Sequence, residues 1–204
     1  GIHLTDSVLG IPRVSPFEIA EKIRKSNKDI KITCSLRVRD KNLNEIEKTV
    51  QESIGIVDGI LVLMGDKSDG VPDKEELIPS QVVKTLNENG LGKKIELFLS
   101  IPSNPNFTKI QKKIDANPAG FFTQVIHSKA QIEKISNQLG SNSFKIIPCL
   151  LLPSHKNLKS AEFLKIDWSD YKENIVGFIN EIHAITGDIL ITSPNDFKRA
   201  YETI

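Results

Sequence analysis

The stretch ILVLMGD, Ile60 to Asp66, holds the chain's most suggestive chemistry: an apolar run that ends on a glycine and a carboxylate. A carboxylate in that position can accept hydrogen bonds from a ligand's amino and ring N–H groups, or it can cap its own turn. Gln124, behind Thr123, offers an amide that both donates and accepts. The other apolar runs end on Thr5-Asp6, Ser35 to Asp40, Pro102 to Asn104, Cys149 to Pro153 and Thr192-Ser193. Lys113 follows Lys112 on a basic stretch, where a cation could meet a phosphate or simply face water. The set is polar with few titratable groups. It contains no His/Cys/Asp/Glu cluster of the kind that holds zinc, no phosphate-binding glycine loop and no nucleophile elbow. His3, His127, His155 and His183 have no consistent partners by spacing, and Arg39-Asp40 reads as a local ion pair that sets a turn.

These residues need a scaffold, and the pattern supplies one. Short, nearly continuous apolar runs at 2–4, 30–38, 58–64, 94–101, 120–126, 144–152 and 188–192 read as strands buried on both faces. Helix signals alternate with them. Ser15-Pro16-Phe17-Glu18 predicts a capping box, as does Asn42 with Glu45; Ser128, Ser169 and Ser193 open three more helices. Weaker helices fall at 79–89, 106–117 and 156–165. Strict alternation implies parallel strands with right-handed crossovers. Seven strands suit a (β/α)8 barrel short of one unit or an open doubly wound sheet, in a single domain spanning 1–204.

Composition narrows the partners. With 27 basic against 26 acidic side chains, the formal charge of +1 gives no electrostatic case for nucleic acid or an anionic membrane. No apolar run approaches the length of a membrane span. Cys34 and Cys149 read as reduced core thiols, which suits a cytoplasmic protein.

Several motifs occur together in a fixed order: Thr5-Asp6-Ser7, Pro12-Arg13-Val14-Ser15-Pro16, Arg39-Asp40-Lys41-Asn42, Leu61 to Asp66, Phe122-Thr123-Gln124 and Ile146 to Pro153. In that order they resemble the catalytic barrel of methylenetetrahydrofolate reductase. The resemblance implies a TIM-type (β/α)8 barrel whose first strand is absent from this sequence. It further implies FAD held at the strand ends, NAD(P)H as a donor, and reduction of methylenetetrahydrofolate or a related methylene-pterin in one-carbon metabolism and methionine biosynthesis. Asp66 would be the catalytic carboxylate beside flavin and pterin, and Gln124 would contact the folate. Thr5, Ser35, Gly65, Asp66 and Lys113 would line the cofactor.

The departures from that family are specific. Its first strand, with the proton-donating glutamate, has no counterpart before Ile2; Ser35 stands where a histidine is usual; Met64 replaces a polar residue; Asn104 replaces a histidine; Cys149 replaces a glycine. They leave open a homologue that binds a pterin or another subunit without catalysis, and a methyltransferase barrel working with a corrinoid partner. Exposed strand edges would favour a homo-oligomer or an electron-donor subunit as partner.

Overall fold

The computed structural model describes residues 1–6, 13–66, 77–139 and 144–203. The sequence signals at Ser7, Pro12 and Gly140 lie outside them. The fold is of the TIM-type α/β barrel class, with strands and helices alternating along the chain and every described strand pairing parallel. The chain divides into two compact units, Gly1–Ser100 with Thr108–Ala119, and Ile101–Phe107 with Gly120–Ile204.

The first unit carries β1 (Ile2–Leu4), α1 (Pro16–Ser26), β2 (Ile32–Arg37), α2 (Leu43–Ser53), β3 (Gly59–Leu63), α3 (Pro79–Glu88), all but the last residue of β4 (Glu96–Ile101), and α4 (Gln111–Asp115). Its strands pair in chain order, with Cys34 beside Leu4 and Ile60, and Arg37 beside Leu63. Side chains alternate between the two faces of a strand. Ile32, Cys34 and Leu36 are fully buried on one face of β2, where the Cys34 thiol donates to the Pro16 carbonyl at the start of α1. Thr33, Ser35 and Arg37 occupy the opposite face.

Caps follow the sequence in part. Asn42 and Glu45 form a reciprocal capping box, the Asn42 side chain accepting from the Glu45 amide and the Glu45 carboxylate from the Asn42 amide. The box expected at Ser15 does not form: its hydroxyl accepts from the Phe17 amide instead. At the N-terminal ends of β2 and β3, Arg24 donates to the carbonyls of Lys28, Ile30 and Ile56 and to the Asp58 carboxylate. Asp58 in turn accepts from the Ile32 amide at 2.7 Å.

The second unit carries β5 (Gly120–Ile126), α5 (Lys129–Leu139), β6 (Lys145–Leu151), α6 (Leu158–Leu164), α7 (Ile175–Thr186), β7 (Leu190–Thr192) and α8 (Phe197–Thr203). β6 pairs with both β5 and β7. Ser169 does not open α7. Asp167 ties down the Ser169 amide, the chain makes turns through Asn174, and the Asn174 side chain caps the helix by accepting from the Gly177 amide. Tyr171, expected on a helix face, sits in these turns, stacked on Phe178 with its hydroxyl on the Leu151 carbonyl. No described helix is long and apolar enough to cross a membrane.

Candidate functional site

Four side chains on adjacent strands of the first unit form a polar column. His3 projects from β1; Thr33, Ser35 and Arg37 project from one face of β2. His3 Nδ1 lies 2.8 Å from Thr33 Oγ1, and His3 Nε2 lies 3.1 Å from Ser35 Oγ. Burial lowers the His3 pKa to about 4, so the ring is neutral at ordinary pH. Arg37 closes the column at the C-terminal end of β2, with only 2% of its surface exposed.

Two arginines shape the strand-end loop. Arg37 Nη2 donates to the Asp66 carbonyl at 2.8 Å, and Arg39 Nε to the Gly65 carbonyl at 3.1 Å. Asp40 lies 3.8 Å from both Arg37 Nε and Lys41 Nζ. Gly65 is required twice over. Its φ of +84° is one that side-chain-bearing residues rarely adopt. A Cβ there would come within 2.7 Å of Arg37 Nε. The glycine that ends ILVLMGD thus lets a buried guanidinium pass against the turn.

The expected site residues divide between the two units. Thr5, Ser35, Gly65, Asp66 and Lys113 belong to the first unit, and Gln124 to the second. Ser35 is buried within the column, whereas Thr5 and Asp66 are exposed. Lys113 turns inward: its ammonium donates to the Ser100 carbonyl, and burial lowers its pKa. Gln124 is exposed on β5, where the pairing with β6 shifts register between Phe122 and Val125. Its neighbour Thr123 spans that irregularity, its buried hydroxyl accepting from the Cys149 amide. Sequence spacing missed His3, because its partners are thirty residues away and meet it only through the β1–β2 register. Among the described residues no group of His, Cys, Asp and Glu could hold a metal ion.

No family model and no curated protein matches the chain. Solved structures do. Two crystal forms of 2,3-dimethylmalate lyase, a PEP mutase/isocitrate lyase superfamily member, align at TM-scores of 0.57 and 0.59 with 12% and 10% identity. They cover 95% and 91% of this chain, and 64% and 59% of theirs. Oxaloacetate acetylhydrolase, in complex with 3,3-difluorooxalacetate, aligns at 0.55 with 13% identity, over 91% of this chain and 61% of its own. The chain therefore spans about three fifths of the length of these structures. At such identities the match is one of fold.

These findings correct the reductase reading. Neither a family model nor a curated protein carries the resemblance to methylenetetrahydrofolate reductase, and the solved structures described above include a lyase and an acetylhydrolase. The flavin oxidoreductase function, its place in one-carbon metabolism and methionine biosynthesis, and the non-catalytic pterin-binding alternative fall with it. FAD, NAD(P)H and folate were expected on that resemblance alone. The motifs that suggested it have local physical causes. Gly65 accommodates a left-handed turn against Arg37, and Thr123 completes an irregular strand pairing; a parallel barrel of any function can need both.

Proposed function

We propose that the chain forms the barrel of a cytoplasmic enzyme that takes a small carboxylic acid at the strand C-terminal ends of its first unit. Working faces of such barrels lie at those ends. The observation that carries the reading is Arg37, a guanidinium almost wholly removed from water beside a second cation, Arg39. Burying a charge costs several kcal/mol unless it is compensated. Asp40, 3.8 Å from both Arg37 Nε and Lys41 Nζ, offsets part of that charge; with Arg37, Arg39 and Lys41 gathered at one strand end, the loop carries more cations than Asp40 and Asp66 balance, which suits an anionic ligand. Guanidinium groups match carboxylates in geometry as well as sign. Of the fold neighbours, one is named for 2,3-dimethylmalate and one for oxaloacetate, both small dicarboxylic acids, and this substrate class is the one proposed. Two free thiols accord with a reducing compartment.

Calorimetric titration with malate, oxaloacetate, succinate and inorganic phosphate tests the reading, with product formation followed by NMR. A dicarboxylate should bind, and Arg39→Ala should weaken it about ten-fold or more, as loss of a charge-assisted hydrogen bond does. Absence of binding at millimolar acid, or equal binding by Arg39→Ala, would overturn it.

A further inference from the structure

Among features outside the arginine pair, the Thr33–His3–Ser35 chain stands apart because its two hydroxyl contacts are compatible with either direction of hydrogen bonding. A neutral imidazole has one N–H and one bare nitrogen, and each of its two neighbours here is a hydroxyl that can donate or accept. Two arrangements satisfy both contacts. In one, Nδ1–H donates to Thr33 Oγ1 and Nε2 accepts from the Ser35 hydroxyl, so Ser35 can only accept from a further partner. In the other, Thr33 donates to Nδ1 and Nε2–H donates to Ser35 Oγ, which releases the Ser35 proton to point elsewhere. The heavy atoms need not move between them.

Ser35 lies on the same face of β2 as Arg37, two residues nearer the strand's start. An oxyanion drawn to Arg37 would repel a lone pair on Ser35 and attract its proton. We propose that His3 is a positioning residue acting as a tautomeric selector, and that an incoming carboxylate or phosphate oxyanion sets it to the Nε2–H form so that Ser35 donates to the ligand. The proposal rests on the acid-binding reading above and adds a specific contact, Ser35, together with a cause for its polarity. Burial that holds His3 neutral is what makes tautomer exchange, not protonation, the available response.

The test is NMR of ring-¹⁵N-labelled protein, where the two ring nitrogens report the tautomer directly and His3→Gln assigns the signals. Succinate and inorganic phosphate are titrated separately, to tell a carboxylate site from a phosphate site. On saturation with the ligand that binds, the His3 signals should become those of the Nε2–H form. Ser35→Ala should weaken that ligand about ten-fold or more, and Thr33→Val should weaken it less. A His3 ring that stays Nδ1–H at saturation, or full affinity in Ser35→Ala, overturns the selector while leaving acid binding intact. If neither probe binds the wild-type protein, the acid-binding reading and this one fall together. Because the decisive spectrum is taken on wild-type protein, a variant that fails to fold does not blunt it.

Discussion

A single residue, Gly65, couples the backbone of the strand-end turn to the buried charge. Replacing it with alanine places a methyl group in a left-handed conformation and against the Arg37 side chain. Each effect costs on the order of 1–2 kcal/mol. Gly65→Ala should therefore lower stability by about 2–4 kcal/mol in urea denaturation, and it should weaken acid binding by displacing Arg37. A conservative change at exposed Met64, such as Met64→Gln, should do neither. A substituted Gly65 of unchanged stability would mean that the turn relaxes to a conformation without positive φ.

At the scale of elements, the second unit is held by an amide that no alternation of apolar residues would reveal. Asn157, fully buried, donates to the Leu152 carbonyl at 3.0 Å and to Ser193 Oγ at 2.9 Å, and accepts from the Asn195 amide at 3.2 Å. It ties the ends of β6 and β7 to the start of α6. Asn157→Ala strands several buried polar groups, and thermal unfolding should show a loss of roughly 2–4 kcal/mol. Asn157→Asp, which keeps the acceptor but brings a charge, should not restore it.

The elements themselves were legible because burial on both faces leaves unbroken apolar runs. β3 and β5 fall within one residue of the sequence reading. Asn42-Leu43-Asn44-Glu45 was equally plain, since a capping box needs only local residues. What could not be read was anything settled by contact between strands. His3 finds its partners by register, Thr123 rather than Gln124 bonds the neighbouring strand across the irregularity, and Ser169 loses the helix start to Asn174 because Asp167 claims its amide. The family resemblance failed for a related reason: short strand-end motifs record the demands of turns as faithfully as those of ligands.

For the molecule as a whole, the half-buried, neutral His3 links stability to pH. Its folded pKa of about 4 lies below the ordinary 6.5, so the unfolded chain takes up the proton first. Stability is then fully present above pH 6.5 and is lost as pH falls towards 4. The loss reaches about 3 kcal/mol at pH 4, from the difference between the two pKa values. Denaturant titrations between pH 8 and pH 4 should show this decline, with a smaller one in His3→Gln. Parallel curves for the two proteins would place the acid sensitivity elsewhere.

Arg24 gathers three carbonyls and the Asp58 carboxylate at one end of β2 and β3, while Arg37 and Arg39 grip the loop at the other. The same kind of side chain thus serves as a foundation below and, on the proposed reading, as recognition chemistry above, separated by the length of a strand. Variation can then explore the upper loops without undermining the footing. A library randomised around Arg39 to Lys41 should yield folded clones with altered ligand preference, whereas one randomised around Arg24 and Asp58 should mainly yield clones that fail to accumulate.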